Sequence, residues 1–359
     1  RLNKDIARHV KARFCLNEGT HYKYHDELEY ASEAEKWLQM AATESDKLIT
    51  SGRYEIYNTG HPQEDYFNMY RIDDKSDLKE AVLYVDYKTN IREHNMAAAG
   101  REAGCGFSKS FVESFLCSDG LPISLSNKYL GDETMRKETA NRDPRLKQLI
   151  LTNDFPTNVT DDLKDSTFVV NEDEFITQHC FTGYRPIKGF NPIYSQALYM
   201  KSSFDGIAYR YAETLLINAE AKAELNTITN ADLDRTVNQL RDRVGMPHLT
   251  VNVGFTDPKW PDWGYSLSPV LQEIRRERCI ELAGEGFRFN DLKRWKAGKL
   301  LNNVLTYVGK RKPDGNLAIV YPNYTNPDLS YQAGKSRTWE DKMYLYPIPT
   351  GELQRNPQL

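Results

Sequence analysis

Apolar side chains recur at helical spacing near both ends of the chain, and a long region between them lacks this spacing. The first set stands at every fourth position: Leu2, Ile6, Val10 and Phe14. A second set follows at similar spacing: Tyr30, Ala34, Trp37, Ala41 and Leu48. Apolar residues three or four apart share one face of an α-helix, and glycine disfavours its continuation. Since Gly19 and Gly52 follow the two sets, residues 1–52 are predicted to form an antiparallel pair of helices.

Residues 53–204 are predicted to be a loop-rich insertion region. Gly, Pro, Asn and Asp are frequent there, and apolar runs shorten to strand length, as at residues 81–85. One short helix is indicated, because Asp143 can cap its start and Pro144 suits its first position. Its inner face is predicted to carry three apolar residues: Leu146, Leu149 and Ile150.

Helical spacing returns at residue 205. One predicted helix carries small side chains along one face: Ala208, Ala212, Leu215, Ala219 and Ala223. A second is predicted to start at Asn230 as its N-cap and to stop at Gly245 and Pro247. Its apolar face comprises four residues: Leu233, Val237, Leu240 and Val244. These two helices form a second predicted pair.

A third helical pair follows a loop rich in Pro and Trp. Ser268 is its predicted cap and Pro269 its first residue, while Gly284 and Gly286 separate its two helices. Helical pairs therefore fill residues 205–298, and residues 299–359 are predicted to be an irregular C-terminal segment. Three helical pairs are typical of tetratricopeptide arrays, but no consensus recurs at a 34-residue period. The patterns predict an all-α fold of helical pairs with long irregular insertions and a few short strands.

The composition excludes several classes of protein. With 51 acidic and 47 basic residues, the net charge of −4 argues against a nucleic-acid binder, which would carry a basic surface. The five cysteines are scattered without a C-x-x-C pair, so neither a zinc site nor a disulfide framework is predicted. No run of apolar residues is long enough to span a membrane. The chain begins at Arg1 without Met or a signal segment, which indicates a processed or truncated piece.

Three carboxylates and two histidines are the strongest candidates for chemistry. Glu277, Glu281 and Glu285 lie at intervals of four and share one helical face. Several arginines surround them in sequence: Arg275, Arg276, Arg278 and Arg288. Arginines keep nearby carboxylates ionised, whereas a general acid needs a raised pKa, so a structural ion-pair network is predicted. A glycoside hydrolase that uses this face stays as an alternative.

His21 and His25 have the spacing of metal ligands. Gly19 is predicted to end the first helix before them, which would place both in a solvated turn, and no third ligand is identifiable nearby. No metal, no cofactor and no catalytic residue is therefore predicted. The chain also lacks the G-x-S-x-G, H-E-x-x-H and G-x-x-x-x-G-K motifs of common enzyme classes.

Aromatic residues are abundant, with 22 Tyr, 14 Phe and 5 Trp. Rings stack on the C–H face of a sugar while polar side chains bind its hydroxyl groups. Residues 84–107 interleave both kinds, and the predicted ligand contacts there are Tyr87, Arg92, His94, Asn95 and Phe107. Trp263 is a further predicted contact, in a cluster with Trp260 and Tyr265. A third cluster comprises Phe181, Tyr184 and Tyr194. The alternative is that these rings pack the loops against the core.

Several sequence blocks resemble the SusD/RagB family of bacterial outer-membrane lipoproteins. The blocks are residues 211–221 (YAETLLINAEA), 237–243 (VNQLRDR), 277–289 (ERCIELAGEGFRF) and 291–295 (DLKRW). Supporting matches are residues 11–13, 18–20, 119–123, 141–146, 346–349 and 356–357. The resemblance covers essentially the whole chain and implies a single SusD-like domain over residues 1–359, built on tetratricopeptide-like helical pairs. Family members begin with a lipidated cysteine and further helices, so this chain resembles one that starts partway through that region.

The resemblance also implies a function. SusD/RagB proteins bind nutrients beside a SusC-like TonB-dependent transporter, so a non-enzymatic, lipid-anchored protein of the outer-membrane cell surface is expected, with an oligosaccharide such as starch as its ligand. The lipid anchor would lie in a segment that this chain lacks. A peptide ligand, or a role as a transporter lid with little ligand affinity, stays as an alternative. The shared charged blocks look like scaffold in the family, so no binding residue is transferred by motif.

Overall fold

Helices account for most of the regular structure. The computed structural model describes residues 3–96, 106–177, 180–319, 338–345 and 349–356. Its α-helices, numbered in chain order, are α1 (Lys4–Tyr24), α2 (Ala34–Ile49), α3 (Asp65–Asn68), α4 (Lys109–Glu113), α5 (Met135–Thr139), α6 (Arg145–Leu149), α7 (Tyr211–Glu224), α8 (Asn230–Asp234), α9 (Val237–Arg243), α10 (Pro269–Glu281), α11 (Arg288–Arg294) and α12 (Thr350–Arg355). Short 3-10 helices lie at Asp26–Leu28, Ala31–Glu33, Met69–Arg71, Glu172–Phe175, Gly298–Asn302, Val304–Thr306 and Asp341–Tyr344.

The strands are short and form three separate two-stranded antiparallel sheets. They are β1 (Ala81–Val85), β2 (Pro156–Val159), β3 (Ser166–Phe168), β4 (Gly206–Arg210), β5 (Val308–Arg311) and β6 (Leu317–Ile319). β1 pairs with β4, β2 with β3, and β5 with β6. Long helices and few short strands confirm the predicted all-α class of tetratricopeptide-like helical pairs.

Four long helices form the scaffold. α2 packs against both α1 and α7, and α7 also packs against α10. Small residues line these contacts, since Ala12, Ala41 and Ala212 are fully buried. The buried Asn218 of α7 donates from its side chain to the carbonyl oxygen of Ala42 at 3.1 Å. Close helix packing and this interhelical hydrogen bond fix α7 between the first helical pair and α10.

Gly19 does not end the first helix, contrary to the sequence prediction. α1 continues to Tyr24, and Gly19 lies where α1 crosses α2. A Cβ atom at this position would lie 2.8 Å from Cγ of Leu38 and 2.9 Å from its backbone nitrogen. The glycine therefore permits a close approach of two helices, and its tertiary role outweighs its low helix propensity.

Residues 206–210 form a strand, although the helical spacing was predicted to begin at residue 205. Ala81 lies opposite Arg210 in the β1–β4 pair, and Val85 lies opposite Gly206. Ile207 and Tyr209 favour a strand, and the partner β1 supplies the hydrogen bonds. The next helix begins only at Tyr211, so Ala208 lies outside it.

The predicted helix from Asn230 to Gly245 is two helices. α8 and α9 are separated at Arg235 and Thr236, and Thr236 has non-helical backbone angles. The side chain of Thr229, rather than Asn230, caps α8 by accepting from the amide of Asp232 at 3.2 Å. Other boundaries agree with the sequence: Ser268 caps α10, and Gly284 has φ +74 after it.

The apolar stripe of α1 is divided between core and surface. Ile6 is buried, but the side chains of Val10 and Phe14 are 41% and 53% exposed. The face that α1 buries instead includes Ala12, Cys15 and Leu16. No helix within the described ranges has the length and apolar character needed to cross a membrane.

We predict that Gly19→Ala destabilises the protein by about 1–3 kcal/mol, because the new methyl group would overpack against Leu38. Alanine's better helix propensity would return at most about 1 kcal/mol. Urea unfolding monitored by circular dichroism measures the net effect. The matched control is Gly351→Ala in α12, where a Cβ atom meets nothing within 4 Å. A Gly19→Ala protein as stable as this control would contradict the close packing of α1 and α2.

Candidate functional site

The candidate carboxylate Glu281 is a buried structural anion. Its carboxylate accepts from three arginines: Arg210 at 2.6 Å, Arg243 at 2.6 and 2.7 Å, and Arg145 at 3.0 Å. Glu281 and all three arginines are at most 1% exposed. Burial alone would raise the pKa of Glu281, but the three guanidinium groups hold it well below its ordinary value. Such a carboxylate stays ionised and cannot act as a general acid.

Glu277 and Glu285 extend this network, but Glu285 does not share the predicted helical face, because α10 ends at Glu281 and Gly284 follows with φ +74. Glu277 pairs with Arg145 and with Arg241, the latter at 3.1 Å. Glu285 accepts from Lys188 at 2.6 Å and from Arg210 at 2.6 Å. The network therefore joins α10 and the turn after it to α6, to β4, to α9 and to the loop that holds Lys188.

The ion-pair network exists as predicted, but its arginines are not those adjacent in sequence. Arg275, Arg276 and Arg278 project from other faces of α10 and bind other acids. Their partners are Glu224 at 2.9 Å, Asp257 at 2.6 Å and Asp291 at 2.9 Å, respectively. A helix separates consecutive residues by about 100°, so sequence neighbours of a glutamate do not face it.

His21 and His25 do not lie in a solvated turn, contrary to the sequence prediction. His21 is within α1 and stacks on the ring of His25 at 4.0 Å. His25 is 2% exposed, and its ring nitrogens bind the carbonyl oxygen of Lys293 at 2.8 Å and Glu27 at 3.0 Å. Burial and the neighbouring His25 lower the pKa of His21 to about 4. Within the described residues, no three His, Cys, Asp or Glu side chains cluster as metal ligands.

The first predicted ligand segment is an ordered hairpin, which we call the aromatic hairpin (residues 87–95). The guanidinium of Arg92 lies 4.9 Å from the ring centroid of Tyr87, and the ring of His94 contacts Tyr87 edge-on at 4.5 Å. Tyr87 is half-buried, whereas Arg92 is exposed. The structure therefore brings three of the predicted contact residues together.

His94 anchors the aromatic hairpin to the loop before β4. Its Nε2 donates to the carbonyl oxygen of Phe204 at 2.8 Å, and its Nδ1 accepts from the amide of Met96 at 3.1 Å. Its backbone also pairs with that of Ser202 in both directions, at 2.9 and 3.1 Å. Burial, with a contribution from Lys75, lowers the pKa of His94. Because both ring nitrogens are occupied in the neutral form, His94 positions the hairpin.

A neighbouring loop, residues 191–203, adds aromatic groups to this surface. Asn95 accepts through Oδ1 from the amide of Met200 at 3.1 Å. Just before Met200, Tyr199 is 72% exposed, and Tyr194 in the same loop is 51% exposed. The β2–β3 hairpin supports the loop, since Tyr194 donates its amide to the carbonyl oxygen of Val159 at 2.9 Å. We call the combination of residues 87–95 and 191–203 the aromatic surface.

Tyr199 is an exposed residue of this surface that the sequence patterns did not single out. Tyr194 was predicted in one cluster with Tyr184, which is fully buried and donates its hydroxyl to Glu138 at 2.8 Å. The signal for Tyr199 is the apolar run at residues 197–200 in an otherwise polar loop. Such a run in a loop indicates either packing or a contact surface, and exposure separates the two.

An open groove of ≈ 1180 Å³ lies beside the aromatic surface. α1 contributes Val10 and Phe14 to one wall, and the start of β4 contributes Gly206. Phe107 also lines it, stacked on Phe111 at 4.5 Å between ring centroids. Met96, which directly follows the aromatic hairpin, lines the same groove as the predicted contact Phe107.

Trp263 does not belong to this surface, and its placement does not fit the predicted ligand contact. The side chain is 5% exposed. Its indole N–H donates to Gln272 at 2.6 Å, its ring meets Trp295 edge-on at 5.4 Å, and Arg275 lies 4.7 Å from its centroid. These neighbours occupy the ring, so Trp263 packs the loop against α10 and α11. Residues 97–105 of the predicted segment lie outside the described residues.

Comparison with known proteins assigns the family. The profile of the SusD family matches residues 43–359. The chain therefore belongs to the SusD family.

Individual relatives support the fold. A SusD-like protein P2 from Formosa agariphila is 32% identical over 159 residues, which are 44% of this chain and 25% of that protein. A SusD-like protein from Bacteroides fragilis aligns with 99% of this chain at a TM-score of 0.68 and 23% identity. A SusD-like carbohydrate-binding protein of the same species aligns with all of it at a TM-score of 0.66 and 21% identity. This chain spans 64% and 65% of the length of those two structures.

We predict that Glu281→Gln destabilises the protein by about 3–5 kcal/mol, because the buried arginines would lose their shared anion. Chemical denaturation at neutral pH measures the free energy of unfolding. The matched control is Glu352→Gln, which removes an exposed acid paired with Arg355 at 3.2 Å and should change stability by less than about 0.5 kcal/mol. Equal effects of the two substitutions would contradict a stabilising role for the network.

We predict that the stability contributed by His94 falls as the pH drops below its ordinary pKa of 6.5. The pKa of His94 is lowered in the folded protein, so the unfolded chain takes up the proton first and acidification favours unfolding. The measurement is the difference in unfolding free energy between the wild type and His94→Gln at about pH 7.5 and about pH 5. The difference should shrink at the lower pH. A difference that grows on acidification would show that His94 is protonated in the fold.

Proposed function

We propose that this protein captures an oligosaccharide at the bacterial cell surface and delivers it to a SusC-like TonB-dependent transporter of the outer membrane. The observation that carries the proposal is the aromatic surface, in which exposed tyrosines stand beside polar groups on a SusD-family scaffold. Proteins of this family include one from Bacteroides fragilis described as carbohydrate-binding, at 21% identity. Anchorage by an N-terminal lipid and exposure on the cell surface are parts of the same proposal.

The side chains of the aromatic surface suit a sugar ligand. Tyr194 and Tyr199 offer exposed ring faces for the C–H groups of pyranose rings. The guanidinium of Arg92 and the side-chain amide of Asn95 supply hydrogen-bond donors for hydroxyl oxygens, and the carbonyl of Asn95 already binds Met200. An open surface with few polar contacts gives modest affinity, which suits a protein that passes its ligand onward.

Binding rather than catalysis is the role that these side chains support. Of the carboxylates in the hydrolase alternative, Glu277 and Glu281 are buried on α10, Glu285 lies in the turn after it with a side chain that is 20% exposed, and all three pair with basic side chains. A glycosidase needs two carboxyl groups at an accessible sugar site, one of them with a raised pKa. Glu277, Glu281 and Glu285 do not meet these requirements, and the pKa values of Glu281 and Glu285 are lowered rather than raised.

We predict that Tyr199→Ala and Tyr87→Ala each weaken binding of a glycan ligand about fivefold, the loss of about 1 kcal/mol of ring contact. Isothermal titration calorimetry against a panel of oligosaccharides, including starch fragments, measures the affinities. The matched control is Tyr30→Ala, which removes a 55% exposed tyrosine that precedes the 3-10 helix Ala31–Glu33. Trp263→Phe should change the free energy of unfolding and leave the affinity for the glycan unchanged.

Other outcomes would contradict this proposal and identify one of the alternative functions. Peptides that bind when all glycans are silent would identify a peptide-binding protein. Association with the transporter in a pull-down without any ligand binding would identify a transporter lid. Release of reducing ends from a glycan would revive the hydrolase alternative.

A further inference from the structure

Two basic residues face each other across the turn of the aromatic hairpin. The amide of Lys88 donates to the carbonyl oxygen of Arg92 at 2.8 Å, and the amide of Arg92 donates to that of Lys88 at 2.9 Å. Residues bridged in this antiparallel way place their side chains on the same face of the hairpin. Asn90 makes the turn possible with φ +61, a conformation that asparagine tolerates well.

Neither basic side chain forms an ion pair with any described residue. Nearby acids have other partners: Glu93 pairs with Lys201 at 3.3 Å, and Asp205 accepts from the amides of Tyr87 at 2.8 Å and Lys75 at 3.0 Å. Asp86 is exposed and lies within ion-pair distance of neither base. Like charges directly opposite each other on a hairpin are unfavourable, so an anion between them would stabilise the arrangement.

Arg92 is held ready for such an anion. Its guanidinium lies against the ring of Tyr87, a cation–π contact that restricts the side chain while it stays exposed. The ring of Tyr87 is itself fixed by His94. A planar guanidinium presents two parallel N–H groups that match the oxygens of a carboxylate or a sulfate.

We propose that the aromatic surface selects anionic glycans, whose uronic carboxylate or sulfate ester is bound by Arg92 and Lys88. Tyr199 and Tyr194 lie in the adjoining loop, so they contact the sugar rings next to the charged group. This proposal rests on the proposed glycan-binding function and adds the chemical class of the sugar.

Calorimetry with matched pairs of ligands tests this inference. One pair is an oligogalacturonate and its fully methyl-esterified form; the other is a sulfated galactose oligosaccharide and its unsulfated form. At low ionic strength, the charged member of at least one pair should bind about three- to tenfold more tightly, and salt should reduce the preference. The pair that shows the preference identifies carboxylate or sulfate as the recognised group.

Variants assign the preference to the hairpin. Lys88→Gln should reduce the preference while affinity for the neutral member stays within about twofold, and Arg92→Gln should reduce affinity for the charged member more than affinity for the neutral member. The matched control, Arg355→Gln, removes an exposed arginine from α12 and should leave the preference intact. Equal affinity for charged and neutral glycans, or a preference unchanged in both hairpin variants, would overturn the inference and leave glycan binding standing. No binding of any of the four glycans, with peptide binding instead, would refute the proposed function itself.

Discussion

The carboxylate of Glu281, with three arginines around it, is the interaction on which the rest of this structure depends. Removing these four charges from water is costly, and the cost is offset only when all of them meet with good geometry. Arg145, Arg210 and Arg243 come from three separate parts of the chain, so the pairs form only after α6, β4 and α9 have reached α10. The network therefore ties the loop-rich region to the helical scaffold at one point.

The ion-pair network around Glu281 also determines the position of the aromatic surface. Arg210 ends β4, and the residues just before this strand hold the aromatic hairpin through Phe204 and Asp205. β4 also pairs with β1, which leads directly into Tyr87. Loops are usually more mobile than the elements they connect. The aromatic hairpin, however, is hydrogen-bonded to the residues that precede β4, and buried ion pairs hold β4 in place. A charged core thus supports a surface that shares none of its residues.

Local patterns predicted the parts of the fold that local interactions decide. Ser268 and Pro269 start α10 because capping and ring geometry act within one turn. Gly19 and residues 206–210 were misjudged because a distant partner decides their structure: Leu38 for the glycine, and β1 for the strand. The partners of Glu281 were equally hidden, since they lie from 38 to 136 positions away along the chain. Residue type predicted that a network would exist, but spacing along α10 could not select its arginines.

The residues of the aromatic surface also differ in role, according to the partners that each of them contacts. Composition identified Tyr87, Arg92 and His94 as a group with rings and donors, and the hairpin brings them into contact. Their roles differ because their hydrogen bonds differ: His94 uses both ring nitrogens inside the protein, whereas Arg92 has no acidic partner among the described residues. On the proposed function, substitutions at Arg92 or Tyr199 would therefore change what is bound without disturbing how the loops are held. Specificity would then vary at these exposed positions while the buried ion pairs stay fixed.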